Sequence, residues 1–214
     1  MYKLEKIKYN AGDFKLSIDS LHLEKGAVYA VLGHNGCGKT TLLNLLAFLI
    51  KPQGGKIFFK DRYINRLPQD VLVDTRKQFG YLMQRPYLFS TTVYENIACG
   101  LKFRNLSKEV IKKRVEKIID TFSLGKIADK KVSNLSGGEK QKTAIARTLV
   151  LGSEVLLLDE PMTNLDKKSV TKLKDLLLSL NKENKKTIIF STHIDSQAHE
   201  LTKNIITINE GEIL

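Results

Sequence analysis

The sequence predicts an α/β fold with a mostly parallel core sheet, an N-terminal antiparallel β subdomain and an all-helical subdomain inserted between strands. Three observations lead there. The apolar run Ala27 to Leu32 enters Gly33-His34-Asn35-Gly36-Cys37-Gly38-Lys39-Thr40-Thr41, and Thr41 to Ile50 follows as a helix, so strand, loop and helix form one unit. The short apolar runs Phe79 to Met83, Val155 to Leu158 and Thr187 to Ser191 read as buried strands; Val155 to Leu158, apolar throughout, is buried on both faces, as in a parallel sheet. Between residues 85 and 150 the strand signals stop and helical periodicity takes over.

The chain of 214 residues is long enough for one α/β domain with a full core. We read residues 1–214 as that domain, with 1–84 and 151–214 as the core and its antiparallel subdomain, and 85–150 as the helical subdomain. No apolar stretch approaches the ~20 residues of a spanning helix, and the start, Met1-Tyr2-Lys3-Leu4-Glu5, has no signal-peptide h-region. The cysteines, Cys37 and Cys99, give neither a disulfide framework nor a metal cluster. A cytoplasmic protein is expected.

The net charge is +12, and residues 102–142 hold twelve Lys/Arg against five Asp/Glu. A lysine-rich solvated surface is the plain reading, and a face near anionic lipid headgroups is the alternative. No long basic run interleaved with aromatics occurs, so no nucleic-acid partner is expected.

In chain order, residues 2–9 and 14–23 alternate apolar and polar positions and read as antiparallel strands around a turn at Asn10-Ala11-Gly12-Asp13. Tyr9 ends the first strand, as a packed aromatic or as a face for a base. The loop from Gly33 to Thr41 has the pattern G-x-x-x-x-G-K-T. Its glycines let backbone N–H groups surround phosphate oxygens, and the helix start adds partial positive charge. Lys39 would reach the β- and γ-phosphates, and the Thr40 hydroxyl would bind Mg²⁺. Lys56 to Lys60 forms the next strand, and residues 61–78 give no clear assignment. Gln84 ends the strand from Phe79, where an amide oxygen can face the ligand crevice and hold Mg²⁺ or a water.

Val93 to Leu101 reads as a short helix, and Ser107 to Phe122 as an amphipathic one capped by Ser107 and ended by Gly125. Leu135-Ser136-Gly137-Gly138-Glu139-Lys140-Gln141 then opens a helix to about Val150. It is an ordinary serine cap or a second anion-binding helix start. Asp159 and Glu160 end the strand from Val155. Two carboxylates there need a cation or polar partners. Asp159 is placed to hold Mg²⁺, and Glu160 to orient an attacking water or accept its proton. Asn164-Leu165-Asp166 makes a turn before a helix from Ser169 to Leu180. His193 ends the strand from Thr187, again facing the crevice. The side chains of His22, His34, His199, Cys37 and Cys99 are assigned no role. Asn204 to Asn209 and Glu212 to Leu214 read as an edge hairpin.

Taken together, these motifs resemble the nucleotide-binding subunit of ATP-binding-cassette (ABC) transporters, a P-loop NTPase of RecA-like fold, over essentially the whole chain. Gly33 to Thr41 is similar to the Walker A loop, Val155 to Asp159 to the Walker B strand, and Leu135 to Gln141 to the family signature. Tyr9 is similar to the adenine-stacking aromatic, Gln84 to the Q-loop, Asn164 to Asp166 to the D-loop and His193 to the switch histidine. Glu139, Met162 and Lys142 stand where Gln, Thr and Arg are usual.

The resemblance implies ATP and Mg²⁺ as cofactors, and a homodimer or paired cassette closing head to tail. Each ATP would lie between Walker A of one copy and Ser136, Gly137 and Gly138 of the other, with Glu139 and Asp166 beside them. Glu160, His193 and Lys39 would carry hydrolysis. Transmembrane permease subunits would dock near Arg85 to Cys99, placing the chain on the inner face of the cell membrane. An extracytoplasmic solute-binding protein is a further partner the resemblance allows. The chain stops soon after its last strand, so no regulatory domain is expected, which favours a small import system. Leu88 to Asn96 and the helix end at Leu46 to Leu49 are similar to cassettes of tungstate-type oxyanion importers. The rivals are a non-transport cassette acting on nucleic acid or the ribosome, and a nucleotide-holding module without turnover.

Overall fold

Alternating burial makes the first hairpin. Strand β1 (Tyr2–Ala11) buries Tyr2, Leu4 and Ile7, and β2 (Phe14–Leu23) buries Leu16, Ile18 and Leu23. They pair antiparallel from Tyr2↔Leu23 to Ala11↔Phe14, so only Gly12-Asp13 turns, a tighter connection than the four-residue turn the sequence suggests. Lys6 sits in the left-handed region (φ 50°) where the pairing of β1 with the strand Gly54–Phe59 on its other side shifts register, and this bulge turns Ile7 inward. The structure, a computed structural model, describes residues 1–214.

Strand β3 (Val28–Leu32) leads through the glycine loop into α1 (Lys39–Leu46). The helix stops four residues short of the expected Ile50. Phe48 turns left-handed (φ 57°), its carbonyl accepts two N–H bonds from Arg76, and its ring joins Tyr2, Phe59 and Phe79. An aromatic cluster therefore ends this helix. Next come β4 (Gly54–Phe59) and β5 (Arg62–Tyr63). The unassigned stretch holds a 3₁₀ turn and α2 (Gln69–Arg76), which starts after Pro68.

Strand β6 (Phe79–Leu82) precedes α3 (Val93–Phe103), α4 (Lys108–Thr121) and α5 (Gly137–Leu149). Ser107 caps α4 as expected, with Ile111, Val115 and Ile119 buried on one face. Gly125 does not end α4: the helix closes at Phe122, Ser123 takes the left-handed conformation (φ 56°), and Gly125 opens a 3₁₀ turn. After β7 (Val155–Leu158), α6 (Lys167–Asn184) is longer than expected at both ends. Strand β8 (Thr187–Thr192) is followed by α7 (Asp195–Leu201), a short helix without clear periodicity, then β9 (Ile205–Asn209) and β10 (Glu212–Ile213).

The ten strands run in the order β5-β4-β1-β2-β10-β9-β3-β8-β7-β6. The pairings β9–β3, β3–β8, β8–β7 and β7–β6 are parallel. Successive residues of the central strands face opposite cores. Leu156, Leu158, Ile188 and Phe190 pack toward α3 to α7, while Val155, Leu157 and Ile189 pack with α1 and the antiparallel strands. Burial on both faces is what the continuous apolar runs require.

The terminal hairpin β9–β10 is not an edge. It lies inside the sheet and joins its two halves, with β10 parallel to β2 through the pair Glu212↔Ser17. Gly211 makes the close approach possible: its φ is 82°, and a Cβ there would lie 1.8 Å from the Lys15 carbonyl oxygen. Gly211→Ala is expected to destabilise the fold by more than about 1 kcal/mol, seen as a lower urea midpoint at unchanged slope. An unchanged midpoint would show that this joint carries no stability.

Candidate functional site

Helix α1 begins without a side-chain cap, since its N-cap is Gly38. Its first N–H groups are therefore left for an anion. Gly38 has φ 117°, and a Cβ would stand 2.9 Å from the ring of Phe14. The loop curls over the carboxyl end of β3 and forms a cavity of about 340 Å³. Phe14, Asn35, Gly36, Gly38, Lys39, Thr40, Thr41, Gln84 and Glu160 line it.

The ends of β7 and β8 complete the cluster. Lys39 is buried; its Nζ donates to the carbonyls of Gly33 and His34 at 2.9 Å each and lies 3.6 Å from Glu160 Oε1. The other oxygen of Glu160 lies 3.4 Å from His193 Nδ1. The Thr40 hydroxyl donates to Asp159 Oδ2 at 2.6 Å. Asp159 and Glu160 are both buried: the Asp159 carboxylate accepts from the hydroxyls of Thr40 and Ser191, and the Glu160 carboxylate accepts from the Thr163 hydroxyl at 3.4 Å beside Lys39. Lys39, Thr40, Gln84, Asp159, Glu160 and His193, far apart in sequence, are thus brought together.

The donors suit a hard divalent cation. Thr40 offers a hydroxyl, Asp159 a carboxylate and Gln84 an amide oxygen, the set that holds Mg²⁺ beside phosphates. No group of three or more His, Cys, Asp or Glu is gathered anywhere in the chain, so the residues build no all-protein cage.

Other expected residues lie elsewhere. Tyr9 packs half-buried against the core beneath the antiparallel strands and does not line the cavity, whereas Phe14 does. In the sequence Phe14 is indistinguishable from the other alternating residues of β2. Its only signal was its place just across the turn from Tyr9. The His34 ring is exposed beside its neighbour's carbonyl, and Cys37 is buried under the loop.

Ser136 to Glu139 and Asp166 form a second cluster outside the cavity. The Glu139 carboxylate accepts from both the N–H and the hydroxyl of Ser136 at 2.8 Å each, a complete capping box. Those bonds hold the Glu139 carboxyl below the usual carboxylate range. The serine start of α5 is therefore occupied by a carboxylate of its own chain, in contrast to the open start of α1. Asp166 caps α6 through the N–H of Ser169 and also bonds the Ser169 hydroxyl and Lys142, which together hold its carboxyl well below the usual range. A Cβ on Gly138 would lie 3.0 Å from the Asn164 carbonyl oxygen, and Gln141 donates to the Pro161 carbonyl at 3.2 Å. The start of α5 is thereby joined to the loop that follows Glu160.

The family model for ABC transporters matches residues 16–163, more than two thirds of the chain, and spans both clusters. The chain belongs to the ABC transporter family. Two relatives from this family are import ATP-binding proteins. The methionine import protein MetN 4 of Oceanobacillus iheyensis is 38% identical over 95% of this chain and 59% of its own length. The molybdate/tungstate import protein WtpC of Pyrococcus horikoshii is 34% identical over 100% of this chain and 61% of its own length. The chain thus spans about three fifths of these ABC relatives. Among solved ABC structures, the dimeric ATP-binding cassette MJ0796, in a post-hydrolysis state bound to ADP and Pi, superposes with a TM-score of 0.90 at 31% identity, over 100% of this chain and 96% of that one. The expected P-loop NTPase fold is borne out.

Proposed function

We propose that the chain is the ATP-hydrolysing subunit of an ABC importer, binding ATP between two cassettes closed head to tail. The observation that carries this reading is the cavity where an uncapped helix start, Lys39, Thr40, Asp159, Glu160 and His193 meet. The relatives' printed functions and the ADP- and Pi-bound dimer support it.

In this reading Lys39 gives up the carbonyls of Gly33 and His34 for β- and γ-phosphate oxygens, joined by N–H groups from Gly33 to Thr41. Thr40, Asp159 and Gln84 would hold Mg²⁺, which would supply charge neutralisation for the transferring phosphoryl group. Glu160 orients a water and takes its proton as the water oxygen bonds to the γ-phosphorus. The bond from that phosphorus to the bridging oxygen breaks, leaving ADP and phosphate. His193 steadies Glu160 from its second oxygen. Phe14 offers adenine an aromatic face from the cavity wall, and Tyr9, within β1 and off that wall, is the second candidate.

The partner cassette supplies Ser136, Gly137, Gly138 and Glu139 to the far side of the triphosphate, with Asp166 at the seam. Closure exchanges the Glu139 carboxylate on Ser136 for phosphate oxygens. Permease subunits dock near Arg85 to Cys99. There Tyr87 and Phe89 are 69% and 42% exposed, and buried Asn96 fixes the loop by bonding both the N–H and the carbonyl of Phe89. Aromatics held stiff at the surface suit a protein interface. Such a permease places the chain on the inner face of the cell membrane; no helix of its own is long and apolar enough to cross. We read the solute as small, an oxyanion by likeness to the molybdate/tungstate relative, delivered by an extracytoplasmic binding protein.

The test is phosphate release as a function of protein concentration. Paired sites predict that turnover per chain rises with concentration and then saturates. A rate per chain independent of concentration, in a protein that stays monomeric with ATP, would overturn the reading.

A further inference from the structure

The buried serine two residues before His193 belongs to none of the motifs, yet it touches both carboxylate residues of the cavity. Ser191 is fully buried in β8, one step beyond the register pair Leu158↔Phe190, which sets it beside Asp159. Its hydroxyl donates to Asp159 Oδ1 at 2.5 Å and accepts the Glu160 N–H at 2.8 Å. The second oxygen of Asp159 is the one that meets Thr40. Ser191 thus fixes which way the Asp159 carboxylate faces.

Glu160 needs such support. Its φ is 47°, in the left-handed region, where a residue with a long side chain is uncommon and costly. Two contacts bracket that turn: the Ser191 hydroxyl on the Glu160 N–H, and the Gln141 amide on the next carbonyl, that of Pro161. The turn aims the Glu160 carboxylate at Lys39 and His193 rather than along the strand.

We infer that Ser191 is a positioning residue for hydrolysis. One hydroxyl orients the Asp159 carboxylate toward the cation position and holds the Glu160 backbone in the turn that presents its carboxylate. This rests on the roles assigned above to Asp159 and Glu160. An outer partner of this kind, once removed, typically costs 10- to 100-fold in metal affinity or activity.

The experiment compares Ser191→Ala, Ser191→Thr and Glu160→Gln in the full chain. Steady-state phosphate release gives kcat and KM. Fluorescence titration gives ATP affinity without metal. Electron paramagnetic resonance of free Mn²⁺ gives cation affinity of the ATP-loaded protein. For Ser191→Ala we expect kcat to fall about 10- to 100-fold and Mn²⁺ binding to weaken over a similar range, with metal-free ATP affinity unchanged. Ser191→Thr, which keeps the hydroxyl, should restore most of both. A loss of packing alone would not separate cation affinity from ATP affinity in this way. If Ser191→Ala does not fold, Ser191→Cys, a weak donor of similar size, is judged by the same criteria. Unchanged kcat and Mn²⁺ affinity beside an inactive Glu160→Gln would overturn the inference and leave the site reading standing. Full turnover in Glu160→Gln would overturn the site reading itself.

Discussion

Glu160→Gln is expected to bind ATP and scarcely hydrolyse it, with turnover down by about 10²- to 10⁴-fold, the usual range for a lost general base. The amide has the shape of the carboxylate, so the turn at Glu160, held by Ser191, should survive. What disappears is the charge between Lys39 and His193 and the ability to take a proton from water. The ATP-bound pair then has no exit through chemistry, and a stable dimer should accumulate with Mg²⁺ATP or with ATP alone. Phosphate release and size-exclusion chromatography with and without ATP check both halves. Unchanged hydrolysis would remove Glu160 from the chemistry.

Lys39→Ala is expected to fail one step earlier. The ammonium is almost fully buried and makes two carbonyl hydrogen bonds in the loop, so it is already held where phosphate oxygens would arrive. Losing two charge-assisted bonds of about 1.5 kcal/mol or more each predicts ATP affinity weaker by about 100-fold or more. The substitution also leaves Glu160 buried without its cation. Arginine should not rescue, because its planar fork does not fit a site shaped around a point charge. A nucleotide titration decides, and retained affinity would reject this role for Lys39. The two variants should differ in kind: Glu160→Gln binds without turnover, while Lys39→Ala scarcely binds.

Much of the site was legible because its chemistry is written locally. A phosphate loop needs its glycines, lysine and threonine within nine residues, and carboxylates after an apolar run need a partner. Parallel strands were legible because burial on both faces leaves no polar alternation. What escaped depends on distant contacts. Strand β10 has two residues, too few for a period, and its interior place rests on pairing with β2 some two hundred residues earlier. The early end of α1 depends on where the ring of Phe48 finds company. Ser191 reads as the last residue of a strand until β7 is set beside it. Phe14 became a cavity residue only once the hairpin bent it over Gly38.

The seam at β10 has a consequence for the nucleotide grip. The antiparallel half supplies Phe14 and the parallel half supplies Lys39 and Glu160, while the Gly211 N–H bonds the Cys37 carbonyl inside the loop. The nucleotide grip therefore straddles the shortest strand pairing in the sheet, the single pair Glu212↔Ser17. Strain placed on Gly211 should therefore loosen the grip as well as the sheet, because one backbone N–H ties the two together.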